Sequence, residues 1–456
     1  MKLNKDIYYQ YVIFFSITLV FLDAYEIFNI PISWLGMTFL LPLCLIEYKN
    51  ITNQKKRSTL LFLFVTMFIP TFFYLILNDL SNEEIVYLFL RYLNVASFLF
   101  VLLFSIHFFK KENLEVFIKN IKYFIYVYSI FILYIFFAQI YDLYEPVRNR
   151  SNTNLYGESA QSIFWLSEPH RAMGTFREPV FLITFFFPLV FIYLYRNKDK
   201  SLLISLITGL ALGLSRSNYL KIFCFAILIY IIVDFLISNK VKLNLLLFAI
   251  TALIFSTFGV LECNLNQDSI ECLEYKEDAN NIINRDSRID SNSLSDSVVD
   301  IGNERLNVLK YFLFSIENIE PGSFLSVNTD YQEYSTININ EEMYFSNRTL
   351  PKYLLQRYST KNFGTGNYSL LKYEINVQNL LVFYTQALGI LFPLILFIFF
   401  QHFVVSKSFK KEGILFLFVL LFFFISPIEE VNAYYGLIIG VTYNLFVNKE
   451  LVYEKI

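Results

Sequence analysis

The sequence predicts an all-α protein: a polytopic membrane helix bundle of about 12 transmembrane helices with a large extracytoplasmic loop domain. Of its 456 residues, 56% are hydrophobic, whereas soluble domains are roughly 45–50% apolar. Several apolar stretches approach or exceed the ~17–20 residues that a helix needs to cross a bilayer. The ~10-residue alternating segments of a transmembrane β-barrel are absent from the sequence, so helices must satisfy the backbone hydrogen bonds.

Twelve apolar stretches are predicted to span the membrane. The first lacks a small-residue cleavage site, so we interpret it as a retained span rather than a removed signal peptide. The predicted spans are residues 9–28, 32–47, 59–77, 85–107, 121–141, 179–195, 201–214, 219–237, 243–260, 376–401, 412–428 and 433–447. Glycine is scarce, with 14 residues, so close helix packing through small residues is not expected to be widespread.

The distribution of basic residues predicts the orientation of these spans. With the amino terminus in the cytoplasm, the inner loops carry twenty basic residues, and the four short outer loops carry two, Arg216 and Lys221. The positive-inside rule therefore places both termini in the cytoplasm. The predicted regions are spans 1–5 in residues 1–141, an outer loop 142–178, spans 6–9 in 179–260, a cap loop 261–375, and spans 10–12 in 376–456.

Two pairs of cysteines have different settings. Cys44 and Cys224 lie within apolar runs, where cysteine is usually a small core residue, whereas Cys263 and Cys272 lie in the polar stretch that opens the cap loop. If that stretch faces an oxidising compartment, a local disulfide between Cys263 and Cys272 is expected.

The end of the first outer loop has the composition of an anion-binding site. Residues 171–179 read RAMGTFREP, in which Arg171 and Arg177 flank a glycine and precede a helix that begins with proline. Guanidinium binds phosphate oxygens in pairs, while ammonium acts as a point charge. Proline and Glu178 suit the start of a helix, where backbone amides can hold an anion. These residues therefore predict a site for phosphate or pyrophosphate, whereas Arg148 and Arg150 are better explained by contact with the membrane interface.

Two further arginines are candidates for the same site. Arg216 lies in GLSRSNYLK (213–221), a tight outer turn between two short spans. A cation at this depth is costly unless it is paired, which favours a functional role. Arg91 lies within the fourth predicted span, nearer its outer end. It either meets an anionic partner or a water-filled cavity, or extends to the interface.

The catalytic base remains open among several residues. His170 and Glu178 are the candidate catalytic residues, with Glu158 and Glu168 as rivals. For His170 alone, a plain surface position is favoured over the role of a general base. The sequence has no phosphate-cradling GxxxxGK loop, no His/Cys cluster with zinc spacing and no Asp-x-Asp pair. We therefore expect no cofactor, no metal and no nucleic-acid partner. Any group transfer should use a donor that is already activated and delivered through the bilayer.

At the arginine motifs described above, the chain resembles the O-antigen polymerase and ligase superfamily of bacterial inner-membrane glycosyltransferases. The resemblance covers most of the chain and rests on four motifs in order. They are RAMGTFREP (171–179), GLSRSNYL (213–220), GNERLNVLKYFLFSIENIEPG (302–322) and INVQNLLVFYTQALGILFPL (375–394).

The resemblance implies a metal-independent, membrane-embedded glycosyltransferase in a bacterial inner membrane. It would act outside the cytoplasm on glycans linked to undecaprenyl pyrophosphate. Arg171, Arg177, Arg216 and Arg305 would hold the pyrophosphates of donor and acceptor and stabilise the leaving group. A carboxylate or His170 would accept the proton of the acceptor hydroxyl. A chain-length regulator and other polysaccharide-assembly proteins are the partners it implies.

Three activities remain open within this interpretation, and polymerase is favoured. Ligases of the superfamily carry a histidine just before the asparagine of the loop-closing span, where this chain has Gln378 before Asn379. A flippase for lipid-linked repeat units can have twelve spans, but its loops are short, unlike the 115 residues of the predicted cap. The expected function is therefore the polymerisation of O-antigen or capsule repeat units, with ligase and flippase as alternatives.

Overall fold

The structure is a computed structural model. Its described residues form helices, one short hairpin and the turns and segments that connect them. It describes residues 5–27, 30–48, 54–77, 82–140, 143, 171–176, 179–196, 201–238, 242–265, 380, 384, 388, 391–401, 411–426 and 431–447. The chain divides into two compact units: unit 1 is Met1–Phe39 with Lys111–Ser291, and unit 2 is Leu40–Lys110 with Asn292–Ile456.

Twelve helices and two strands form the described part of the chain. The helices are α1 (Lys5–Val20), α2 (Ile32–Tyr48), α3 (Gln54–Leu77), α4 (Asn82–Phe108), α5 (Lys111–Ile140), α6 (Pro179–Arg196), α7 (Leu202–Gly213), α8 (Asn218–Ser238), α9 (Leu243–Leu265), α10 (Leu391–Phe400), α11 (Lys411–Ile425) and α12 (Ala433–Phe446). The strands β1 (Glu26–Ile27) and β2 (Ile30–Pro31) pair antiparallel.

Helix α6 forms the centre of unit 1. It begins at Pro179, as predicted, because proline fits the first turn of a helix, and nearly all of its side chains are buried. An aromatic cluster lies beside it: the ring of Phe21 is 4.9 Å from that of Tyr128 and 5.8 Å from that of Phe186. Phe176 joins the same cluster, 5.3 Å from Phe21. These edge-to-face contacts anchor the segment that carries Arg171.

Glycine pairs bring two sets of helices into close contact, one in each unit. In unit 1, a Cβ atom added to Gly209 or Gly213 of α7 would lie 2.9 and 2.8 Å from the carbonyl oxygens of Phe248 and Ala252 in α9. In unit 2, Gly436 and Gly440 of α12 face α4 in the same way. Each pair is four residues apart, the spacing that lets helices approach closely in membranes. The expectation concerned how widespread such packing is, and it did not identify these two pairs.

Each predicted span overlaps one helix, but the lengths differ. Four helical stretches of the described residues are long and apolar enough to cross a membrane: Arg91–Phe108, Glu112–Ala138, Pro179–Arg196 and Asn218–Leu236. Four further apolar helices are shorter, at 10–17 residues. The prediction of about twelve spans is thus supported only as an all-α fold with helices capable of spanning a membrane.

The first predicted span, 9–28, is wrong at its C-terminal end. Helix α1 ends at Val20, and a turn leads from it to β1. Tertiary hydrogen bonds replace the helical ones here, because the Phe21 carbonyl accepts from the Thr175 hydroxyl and the Ala24 amide donates to the Thr175 carbonyl at 3.0 Å. The hydropathy of residues 9–28 carries no information about a partner 154 positions later in the chain.

Candidate functional site

Residues 171–176, which lead towards α6, form a buried segment in unit 1 that we call the inlet segment. Ala172, Thr175 and Phe176 are each at most 2% exposed. Irregular backbone that is buried must find hydrogen-bond partners within the protein, and at membrane depth it is tolerated only where protein or a cavity surrounds it. The inlet segment meets this demand through contacts with α1, α5 and the turn after α7.

Thr175 makes the largest number of these contacts. Its hydroxyl lies 2.8 Å from the Tyr128 hydroxyl of α5 and donates to the Phe21 carbonyl. Its amide donates to the Tyr128 hydroxyl at 3.4 Å, and its carbonyl accepts from the Ala24 amide. Thr175 therefore joins the end of α1 to the middle of α5 and fixes the inlet segment between them.

Gly174 allows the inlet segment to approach α5. Its φ is +55°, a left-handed conformation that L side chains rarely adopt. A Cβ atom at this position would lie 2.9 Å from the Tyr128 hydroxyl and 3.1 Å from Cγ1 of Ile132. Both the backbone conformation and the space require glycine here.

The turn between α7 and α8, residues 214–217, holds the second predicted arginine. The Ser215 amide donates to the Leu212 carbonyl at 3.1 Å, and the Arg216 amide donates to the Gly213 carbonyl at 2.9 Å. Arg216 has a φ of +52° and is the only described residue besides glycine with a positive φ. A non-glycine residue in this region costs roughly 1–2 kcal/mol, and such strain tends to occur at functional sites.

The turn is buried, and α7 is short. Ser215 and Ser217 are 0% and 1% exposed. The 12 residues of α7 rise only about 18 Å, less than the ~30 Å of the hydrocarbon core. If α7 starts at one interface, its turn lies within the membrane, where protein must cover the backbone. The inlet segment supplies part of that cover.

The structure brings the two predicted arginine motifs together. Nε of Arg171 donates to the Ser215 carbonyl at 3.0 Å, and the Ala172 amide donates to the Leu214 carbonyl at 2.9 Å. Arg171 is thereby held beside the residue that precedes Arg216. Both arginines are half-buried, and each makes further interactions.

Ser217 adds a buried hydroxyl at the start of α8. Its amide donates to the Ser215 hydroxyl at 3.4 Å, and its carbonyl accepts from the Lys221 amide at 3.2 Å. Among the residues that the structure describes, the Oγ of Ser217 has no hydrogen-bond partner. A buried polar atom of this kind needs an explanation, and an oxygen of an anion at the helix start supplies one.

One further predicted site residue lies among the described residues, in the other compact unit. Arg91 lies in α4, in unit 2, and is half-buried. Several predictions fall outside the described residues and stay predictions: His170, Arg177, Glu178, Arg305 and Cys272, together with the side chain of Cys263.

Tyr128, Thr175 and Asp23 are residues of this region that were not predicted from the sequence. Oδ1 of Asp23 accepts from the Ser33 hydroxyl at 3.0 Å, and Ala24, the next residue, bonds to Thr175. Asp23 is therefore adjacent in sequence to a residue that bonds to the inlet segment. Its signal in the sequence is weak: one acidic residue at the end of an apolar run. Within the described part of the chain, no three His, Cys, Asp or Glu side chains are grouped to hold a metal ion.

These features define the class of protein: an all-α membrane protein with a buried segment that places two arginines next to a short-helix turn. Four long apolar helices in the described ranges support the membrane location. No protein-family model matches the chain, and neither a curated protein nor a solved structure matches it.

Proposed function

We propose that this protein polymerises glycan repeat units carried on undecaprenyl pyrophosphate, at the outer face of a bacterial inner membrane. In this proposal the twelve helices form a twelve-span bundle with both termini in the cytoplasm, and residues 261–375 form an extracytoplasmic cap. The contact that carries the proposal is the hydrogen bond from Arg171 to Ser215, because it puts two guanidinium-bearing residues beside one helix start.

The chemistry of the site suits a pyrophosphate. Arg171 and Arg216 can each bind phosphate oxygens in pairs, and the Ser217 hydroxyl and the first amides of α8 can donate to the same group. The buried surroundings strengthen these interactions relative to water. As the glycosidic bond to the carrier breaks, charge develops on the pyrophosphate leaving group, and preorganised donors of this kind stabilise it.

The acceptor hydroxyl must lose its proton, and several residues are candidates to accept it. Glu178 and His170, with Glu158 and Glu168 as rivals, are predicted from the sequence, and Asp23 is added because the next residue, Ala24, bonds to Thr175 of the inlet segment. In the proposed reaction the acceptor oxygen bonds to the anomeric carbon of the donor sugar. The bond from that carbon to the pyrophosphate oxygen breaks, and undecaprenyl pyrophosphate leaves.

The test is a deletion strain complemented with point variants, followed by separation of the surface glycan by length. Arg171→Ala and Arg216→Ala should remove long glycan chains and leave single repeat units attached. Lysine at either position should restore little chain extension, because its ammonium group cannot bind two phosphate oxygens at once as guanidinium does. Arg196→Ala is the matched control: Arg196 is the last residue of α6, at the opposite end from the inlet segment. It should leave chain length unchanged.

Other outcomes identify the alternatives. Polymer that accumulates on the lipid carrier without surface attachment would indicate a ligase, and lipid-linked units trapped in the cytoplasm would indicate a flippase. Full chain length in both lysine variants would contradict pyrophosphate binding by the two guanidinium groups.

A further inference from the structure

Unit 2 contains an apolar groove formed by five elements of the chain. Its walls include Met67 of α3, Leu99 of α4, Phe392 of α10, Phe423 of α11 and Tyr435 of α12. The groove exposes no polar atom and is partly open. It encloses about 80 Å³, several times the roughly 10–15 Å³ that one water molecule requires.

Water is a poor occupant for this space. A buried water needs two to four polar partners, and apolar cavities stay dry and accept apolar ligands instead. Protein interiors are otherwise packed at the density of organic crystals. A groove of this size between five elements is therefore expected to hold a ligand. In a membrane protein the available filling is hydrocarbon.

A cation lies on the same face of α4 as the groove. Arg91 precedes Phe98, a groove residue, by seven positions. Seven residues of an α-helix turn the chain through nearly two full turns and a rise of about 10.5 Å. Arg91 thus lies in line with Phe98 at the start of the apolar window Arg91–Phe108. An arginine at this depth is expected to interact with an anion or the interface.

We infer that the groove and Arg91 together bind one anionic phospholipid, with an acyl chain in the groove and the phosphate at Arg91. A phospholipid joins a phosphate and a hydrocarbon chain through a short glycerol, which suits a cation and a groove separated by about two helical turns. Guanidinium is the side chain best suited to bind phosphate oxygens in pairs. This inference does not depend on the proposed function, because both elements lie in unit 2, whereas Arg171 and Arg216 lie in unit 1.

The experiment measures lipid binding to the purified, delipidated full-length protein by native mass spectrometry. Dioleoylphosphatidylglycerol and dioleoylphosphatidylcholine are the two probes. The wild-type protein should bind one phosphatidylglycerol about fivefold more tightly than phosphatidylcholine, the factor expected for one basic residue near an anionic lipid. Arg91→Gln should reduce phosphatidylglycerol binding to the level of phosphatidylcholine, and Arg91→Lys should keep part of the preference.

Two tryptophan variants test the groove itself. Leu99→Trp adds bulk to a groove wall that is 6% exposed and should abolish binding of both lipids. Phe89→Trp is its control, since Phe89 is 66% exposed and lies nine residues, about two and a half turns, from Phe98, on the opposite face of α4. If Leu99→Trp fails to fold, Phe392→Ala provides the second variant: it widens the groove and should change the preferred acyl-chain length.

Several results would overturn the inference. They are equal binding of the two lipids by the wild-type protein, unchanged binding in Leu99→Trp, competition by inorganic phosphate alone, and displacement of the phospholipid by trace amounts of undecaprenyl phosphate. The last would assign the groove to the glycan carrier. None of these results involves glycan length, so failure here is distinguishable from failure of the proposed polymerase.

Discussion

Arg171 donates a hydrogen bond from Nε to the backbone carbonyl of Ser215, 3.0 Å away and 44 residues later in the chain. The bond ties the inlet segment to the α7–α8 turn, and the Ala172–Leu214 backbone bond beside it gives the contact a fixed register. Each motif is short and ambiguous in the sequence. Because the two motifs are in contact, they form a single candidate site.

Removal of the Ser217 hydroxyl should separate stability from function. Because Oγ of Ser217 is buried and has no partner in the described structure, Ser217→Ala should leave the unfolding free energy unchanged or raise it by about 1–3 kcal/mol. If the hydroxyl binds an anion oxygen, chain extension should fall in the same variant. Thermal unfolding in detergent and glycan length measure the two effects.

Ser215→Ala is the comparison for this prediction, because Ser215 Oγ accepts a hydrogen bond from the Ser217 amide. It should lower stability by about 1 kcal/mol. A loss of stability in Ser217→Ala that equals the loss in Ser215→Ala would show that the Ser217 hydroxyl has a partner in the folded protein.

The backbone strain at Arg216 predicts a difference between two substitutions that both remove the guanidinium. With φ at +52°, glycine fits the position without strain and alanine does not. Arg216→Gly should therefore be more stable than Arg216→Ala by about 1–2 kcal/mol, while both lose chain extension. Equal stability of the two variants would mean that the turn relaxes to another conformation once the side chain is gone.

A methyl group at Gly174 should destabilise the protein through a contact that can be identified. Gly174→Ala places Cβ near the Tyr128 hydroxyl and should cost about 1–3 kcal/mol of unfolding free energy. Tyr128→Phe removes that hydroxyl together with its bonds to Thr175 and should cost about 1 kcal/mol by itself. The double variant should be less destabilised than the sum of the two, since neighbouring residues couple.

The sequence predicts the structure best where local chemistry decides it. The start of α6 at Pro179 follows from the proline itself, and α4 at Asn82–Phe108 closely matches the predicted 85–107, because a long apolar run determines a long helix. The link between Arg171 and Ser215 was not predictable, since nothing in either motif specifies a partner 44 residues away. The early end of α1 has the same cause.

One feature was missed although its signal is in the sequence. GLALG (209–213) and GLIIG (436–440) carry glycines four residues apart within apolar helices, a pattern that indicates close helix packing. The small number of glycines in the chain drew attention away from this pattern, although the spacing of glycines along a helix decides close packing more than their number does. The conformation of Arg216 could not be predicted in the same way. Its positive φ is not indicated by the residues around it in the sequence.

The predicted disulfide can be tested by counting thiols. Cys44 and Cys224 are free and buried, whereas Cys263 and Cys272 are predicted to form a disulfide outside the cytoplasm. Denatured protein labelled without reductant should therefore take up two maleimide groups, and reduced protein should take up four, as measured by intact mass. Four labels without reductant would contradict the disulfide and weaken the extracytoplasmic placement of residues 261–375.

The glycine contacts in unit 2 predict an effect whose sign opposes helix propensity. Gly→Ala in an exposed helix interior stabilises by about 1 kcal/mol. Gly440→Ala should instead destabilise by about 1–3 kcal/mol, because its Cβ would meet the Cβ of Ser105 and lie 3.1 Å from the Leu102 carbonyl oxygen. Ser105→Gly should rescue Gly440→Ala by removing the opposing Cβ. It should not rescue Gly436→Ala, whose Cβ meets the Phe98 carbonyl oxygen, and rescue of both variants would mean that α4 and α12 adjust as whole helices.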